Sequence, residues 1–291
     1  MKPLLSILCA LVCSVLFSCK ENGTSSKKKN QTEKLPTKIE RINPGTITYH
    51  FEKTKEWVEK AKKDSSQLQL AYAINRTDAE NFIKLDSVLV PNDFTGDIAY
   101  YLPFPLKVSY LKDVDKIIYF SYPTQTFGAY ENGQLIYTGP TNMGREKDKT
   151  PTGLFFTNWK AEETTSTFND EWDLKWNFNI ENKLGVGFHQ YALPGYPASH
   201  SCLRLQEADA KKLYSWAEEW VLEDEQNVKV KGTPVIVFGA YPFRKTKPWY
   251  VLVDDPKGLQ LSENDIERET KPHLNSILKE QKNRATVQNK E

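Results

Sequence analysis

The chain has 291 residues and a formal net charge of +1, with 26% charged and 39% hydrophobic residues. A balance this close to neutral gives no basic surface for nucleic acid and no net charge to drive the chain onto an acidic membrane. At this length the chain can bury a hydrophobic core of its own.

Lys2 forms a short positive region, and Leu4 to Phe17 is an apolar run of signal-peptide length, short for a membrane span. The run ends in Leu16-Phe17-Ser18-Cys19. A small residue followed by Cys after such a run resembles the bacterial lipobox. That resemblance implies a lipoprotein signal peptide over 1–18, cleavage before Cys19, and a lipid on Cys19. The protein is then expected on a membrane of the bacterial cell envelope, facing the periplasm. The alternative is an ordinary secretory signal cut elsewhere, which leaves Cys19 as a spare thiol. In either case Cys9 and Cys13 depart with the signal, and only Cys19 and Cys202 remain. With no intradomain disulfide available, the core alone must hold the fold. Residues 19–39 are Lys-, Ser-, Thr- and Asn-rich, have too little apolar content to fold, and are expected to act as a flexible tether.

Residues 40–105 read as a small α+β accessory region. Thr54 to Leu70 has helical spacing, with Trp57, Val58 and Ala61 on one side. Leu70-Ala71-Tyr72-Ala73-Ile74-Asn75-Arg76 and Leu85-Asp86-Ser87-Val88-Leu89-Val90-Pro91 follow. This second half resembles the end of a LysM module, a glycan-binding unit. The competing reading is a helix-plus-strand subdomain with no ligand.

From 106 to 240 the pattern turns mainly β. Ile117–Phe120 and Gln125–Tyr130 read as strands. Asn132-Gly133 signals a tight hairpin, with Leu135–Thr138 as the return strand. Thr150-Pro151-Thr152-Gly153 marks a turn before the strand Leu154–Phe156. Glu207 to Trp220 is predicted helical, with Ala210, Leu213, Ala217 and Val221 inward and Asp209 and Lys212 outward. Thr233–Phe238 is a final buried strand. In the 241–291 extension, Trp249–Val253 is expected to add a strand or pack on the domain. Ser262–Lys279 is expected to form an amphipathic helix interrupted by Pro272, and the last ten residues to be disordered.

Cys202 is the one cysteine beyond residue 19, and His189 and His200 lie within 13 positions of it. A lone Cys with nearby histidines is a candidate nucleophile. An adjacent imidazole can take the thiol proton, raising the reactive fraction and lowering the thiol pKa. The bland alternative is a buried Cys acting as a small hydrophobe. The polar run Ser199-His200-Ser201 and the following Arg204 argue against an apolar burial site. One Cys and two His fall short of the four ligands of a structural zinc site, so no metal or other cofactor is expected. A Cys-His-Asp triad stays open if Asp170 or Asp173 folds back. Trp159, Trp172, Trp176 and Phe178 either pack in the core or wall a cleft as a lid.

Four ordered features of 106–240 together resemble the L,D-transpeptidase catalytic domain, also called YkuD. They are the Tyr-Glu-Asn-Gly-Gln-Leu-Ile hairpin at 130–136, Thr150-Pro151-Thr152-Gly153 before an apolar strand, Gly187-Phe188-His189 followed by Ser199-His200-Ser201-Cys202-Leu203-Arg204, and a helix before Gly232-Thr233-Pro234-Val235. The resemblance implies a β-sandwich with a helix after the catalytic Cys, acting on peptidoglycan stem peptides. It implies that Cys202 attacks the donor amide, that His189 is the base, and that His200 orients the loop and the substrate; the sequence leaves the opposite assignment of the two histidines open. Backbone N–H groups at Ser201 and Cys202 would bind the oxyanion. Arg204 would bind a stem carboxylate, or alternatively pair with the following helix. Ser199 would hold a histidine. Ser201 stands where the family usually has glycine, so a backbone there with φ > 0 would be strained. The chain is expected to act as a monomer. A non-catalytic wall-binding lipoprotein is the reading from a different class.

Overall fold

The computed structural model describes residues 39–165 and 173–288. The expected signal peptide, most of the tether, Cys19, Asp170 and Trp172 lie outside the described residues.

The accessory region begins with β1 (Tyr49–Lys53), α1 (Thr54–Ala61), α2 (Ser65–Asn75), α3 (Ala79–Phe82) and β2 (Ser87–Pro91). β1 and β2 pair antiparallel, Tyr49 opposite Pro91 and Lys53 opposite Ser87. The single helix expected over 54–70 is two. Asp64 restarts it, its carboxylate accepting from the N–H groups of Ser66 and Gln67 at 3.0 and 3.2 Å. Trp57, Ala61, Tyr72, Phe82, Val88 and Val90 share one apolar cluster. Trp249, from the far end of the chain, joins Tyr49, Leu70, Ile74 and Leu89 in another.

The mainly β expectation holds for the larger region. Its strands are β3 (Ile117–Ser121), β4 (Thr126–Glu131), β5 (Gln134–Pro140), β6 (Gly153–Phe156), β7 (Lys160–Thr165), β8 (Asp173–Glu181), β9 (Val186–Gln190) and β10 (Leu203–Leu205). α4 (Glu207–Trp216), β11 (Val221–Leu222), β12 (Val228–Val230) and β13 (Pro234–Phe238) follow. Two sheets form, ordered β5-β4-β3-β13-β6 and β10-β9-β8-β7, and β11 pairs with β12. The β4–β5 hairpin turns on Asn132 and Gly133, both at positive φ (46° and 75°), as an Asn-Gly turn demands.

Strand parity sets the layers. Ile118, Phe120, Val235 and Val237 of the five-stranded sheet meet Phe178, Ile180, Val186, Phe188, Leu203 and Leu205 of the four-stranded sheet, with Leu213 and Trp216 of α4, in one core. The alternate residues Ile117, Tyr119, Ile236 and Phe238 turn to the opposite face. There they meet Ile266 of α5 (Glu263–Thr270) and Ile277 of α6 (Leu274–Gln288). A sheet covered on both faces explains why its strands read as unbroken apolar runs.

Several sequence expectations are corrected here. α4 ends at Trp216, not Trp220, because Glu218 N–H donates to the Thr233 hydroxyl (2.9 Å) and its carbonyl accepts from Thr233 N–H (3.1 Å). Asp209, expected outward, is buried. The Tyr137 hydroxyl donates to it at 2.6 Å, and burial pushes its carboxyl up to about 7. Of the two expectations for Trp249–Val253, packing on the domain holds: the segment is a 3-10 helix with Trp249 and Leu252 buried, not a strand. Residues 282–288, expected disordered, continue α6. Arg284 anchors them through Glu218 at 3.1 Å and the Lys231 carbonyl at 2.9 Å. Of the two readings for the aromatics before His189, core packing holds for Phe178, and Trp176 packs against the same core.

Candidate active site

β9 and β10 run parallel, Leu203 opposite Phe188 and Arg204 opposite His189. Side chains alternate along a strand, so Leu203, Leu205 and Phe188 fill the core. The same parity turns Arg204, Gly187 and His189 to the opposite face, and Cys202 immediately precedes β10. This register brings two segments twelve residues apart into one site.

Cys202 is partly exposed. Its Sγ lies 3.6 Å from the Gly185 carbonyl. Burial pushes its thiol up from the ordinary value; the Gly187 N–H and the Arg204 charge act in the opposite direction and offset only part of this. Gly187 is required for space: a Cβ there would sit 2.7 Å from the Phe178 carbonyl oxygen on β8.

His189 is 3% exposed, and its Nδ1 lies 2.9 Å from the Gln190 carbonyl. A carbonyl can only accept, so Nδ1 carries the proton and Nε2 keeps its lone pair for the site. Burial lowers its pKa to about 4; the Gln190 bond acts the other way and Arg204 adds to the lowering. Imidazole and thiol are therefore both neutral at pH 7. Burial thus acts against the low thiol pKa expected from the sequence, because desolvation disfavours the thiolate. The group orienting His189 is a backbone carbonyl. Asp173, at the exposed start of β8, pairs with Thr165 and not with the imidazole.

His200 is exposed. Its Nδ1 is 3.1 Å from Arg145 Nη2 and 3.6 Å from Asp148 Oδ2. Burial lowers its pKa, with Arg145 the next cause. Arg145 also ties the loop, its N–H donating to the Ser199 carbonyl at 2.9 Å. Ser199 is buried, and its hydroxyl donates to the Cys202 carbonyl at 2.5 Å, not to a histidine as expected. Asn142 pins both ends of the segment: its backbone pairs with Arg204 and its Oδ1 accepts from Ala198 N–H at 3.1 Å. Asn142, Arg145 and Asp148 carried no sequence signal, because each acts through a fold-dependent approach of its loop.

Arg204 lies over the Tyr191 ring, 4.4 Å from its centroid, and Tyr191 meets the His189 ring edge-on at 6.0 Å. Among the described residues no carboxylate pairs with Arg204, so the expected alternative of an ion pair to α4 is absent there.

Ser201 sits at φ +85°. The glycine-like conformation anticipated from the sequence is present, on a residue for which it costs about 1–2 kcal/mol. Ser201→Gly removes that strain but adds freedom to the unfolded chain worth about 0.4–1 kcal/mol. A net gain of about 0.5–1 kcal/mol is expected, read in thermal unfolding as a Tm rise of about 1–4 °C. An unchanged or lower Tm would mean that the serine side chain contributes more than its backbone costs.

Residues 115–237 match the family model of the L,D-transpeptidase catalytic domain, YkuD. This domain holds Cys202, His189, His200 and Arg204. Solved structures similar to the chain include an L,D-transpeptidase from Stackebrandtia nassauensis, 26% identical with a TM-score of 0.36, over 44% of this chain and 57% of that one. An Enterococcus faecium L,D-transpeptidase, solved as a cysteine-to-serine mutant, is 24% identical with a TM-score of 0.34, over 43% and 50%. One from Mycobacterium tuberculosis H37Rv is 20% identical with a TM-score of 0.34, over 43% and 58%. The chain thus spans between half and three fifths of the length of these structures. No curated protein matches it.

Proposed function

We propose that the chain is a peptidoglycan L,D-transpeptidase working through a Cys202 thioester. The observation that carries this reading is the neutral His189, held by Gln190 through Nδ1 so that Nε2 keeps its lone pair, on the strand that pairs with β10, which begins directly after Cys202. As a donor stem tetrapeptide arrives, His189 takes the thiol proton while sulfur attacks the amide carbonyl after the third residue. The N–H groups of Ser201 and Cys202 stabilise the oxyanion. His189 returns the proton to the departing D-amino acid, and Arg204 binds its carboxylate. An amine then resolves the thioester; resolution by water would make the enzyme a carboxypeptidase. Incubation with tetrapeptide-containing sacculi tests the choice. Cross-linked or amino-acid-exchanged muropeptides support transfer, tripeptides alone support trimming, and unchanged sacculi count against both.

The LysM-like resemblance of residues 70–91, which run from α2 through α3 into β2, is the ground for proposing that the accessory region contacts glycan. Its role would be to hold the body near wall strands. A purely binding lipoprotein has no use for the Cys202–His189 pair, which is why the enzyme reading is preferred.

The proposed anchor is Cys19, placing the protein on an envelope membrane facing the periplasm. One acyl chain binds membranes marginally, so stable anchoring needs the several chains of a bacterial lipoprotein. A tether of about 19 residues has a coil reach of roughly 25 Å, enough for the body to leave the surface. Cys19→Ser is expected to move the protein to the soluble exported fraction with its activity retained. Fractionation that leaves the variant salt-resistant in membranes would put the anchor elsewhere.

A further inference from the structure

A groove of about 620 Å³ lies between the accessory region and the catalytic domain, lined by Tyr72, Asp78 and Glu80 on one side and Tyr191, Glu207 and Lys211 on the other. Five of its twelve lining residues lie outside the part that matches the YkuD model. Resting on the thioester reading above, we propose that this groove receives the amine-bearing acceptor chain.

Three observations place the acceptor there. The first is order along one strand. Gly187 stands beside Cys202, followed on the same face by His189 and then Tyr191, which lines the groove. At about 3.3 Å per residue, the groove mouth lies roughly 13 Å along the strand from the thiol, within reach of an extended peptide of four residues. A chain entering from the groove meets His189 before it meets the thioester.

The second is chemical symmetry. The amine that leaves in acylation and the amine that attacks in transfer must both exchange a proton with His189, so they use the same side of the thioester. Arg204, stacked on Tyr191 at the groove mouth, is placed for the carboxylate of the departing residue. The incoming neutral amine, its extra proton lost to solvent, attacks the thioester carbonyl. The C–N bond forms and the C–S bond breaks. The second amine proton passes through His189 to sulfur, which restores the thiol.

The third is charge. Three carboxylates face one ammonium in the groove. Asp78 is engaged with the N–H groups of Leu193 (2.6 Å) and Asn81 (2.8 Å), and Glu207 pairs with Lys211 at 2.7 Å. Glu80 has no ion pair among the described residues and is exposed. An anionic groove favours a chain that carries protonated amines over an anionic one.

The test measures how the Cys202 thioester partitions between an added amine and water. The protein is first acylated with a synthetic tetrapeptide ending in D-alanine, and the thioester is read by intact mass. It is then offered two tripeptides bearing the same free side-chain amine, one flanked by Lys and one by Glu. The wild type is expected to favour the Lys-flanked acceptor at least fivefold at low salt, with the preference shrinking at high salt. Ala79→Trp, at an exposed groove position, should lower the aminolysis-to-hydrolysis ratio at least fivefold with either acceptor. Glu80→Lys should abolish or invert the charge preference. Glu56→Lys, an exposed control on α1, should leave the partition as it was. A thioester that forms normally but partitions identically in wild type, Ala79→Trp and Glu80→Lys overturns the groove assignment alone. Failure to form any thioester overturns the function on which it rests.

Discussion

Cys202→Ala is expected to lower turnover of stem-peptide donors by at least about 10³-fold, the scale seen when a covalent nucleophile is removed. It should also abolish the mass adduct that a carbapenem leaves on the thiol. The fold should survive, because the side chain is partly exposed and alanine keeps its Cβ. Its neighbours Leu203 and Leu205, which carry the packing, are untouched. Intact mass after carbapenem treatment, with circular dichroism as a fold check, makes the measurement. A folded Cys202→Ala protein with undiminished turnover would end the enzyme reading.

His189→Ala is expected to cost about 10²–10⁴-fold in kcat/KM at pH 7, the usual contribution of a general base. The pH profile is the sharper readout. His189 is protonated only below its pKa of about 4, so wild-type kcat/KM should fall on the acid side near pH 4 and stay level through neutrality. A thiol whose pKa desolvation raises adds no thiolate at pH 7. No thiolate absorbance should therefore be lost when Cys202 is replaced. In His189→Ala the residual rate should climb with pH, because thiolate formed by bulk base becomes the remaining nucleophile. His200→Ala should keep the acid limb near pH 4, since His200 is exposed and engaged with Arg145 and Asp148. An acid limb lost in His200→Ala but kept in His189→Ala would reverse the two roles.

Much of this was legible in the residues themselves. The Asn132-Gly133 turn, the apolar runs Ile117–Phe120 and Pro234–Phe238, and the polar cluster around Cys202 are local signals, each read from neighbours a few positions away. The strands β7 to β10 were harder to find. β10 has three residues and β7 alternates weakly, so each becomes a strand only through its partners.

Sequence alone determined which side chains are able to do the chemistry: one thiol in the body of the chain, two imidazoles nearby, and a serine at a glycine-like turn. Their working state was decided by the tertiary structure. Parallel pairing of β9 with β10 puts His189 beside Arg204, while His200 sits in the loop with Arg145 and Asp148. The Gln190 carbonyl sets the His189 tautomer, and burial keeps both thiol and imidazole neutral. The groove between the accessory region and α4 likewise rests on long-range contacts, Asp78 with Leu193, 115 positions apart, and Gln206 with Thr77. Protonation and access depend on desolvation and long-range contacts, and neither is encoded in the spacing of residues along a chain.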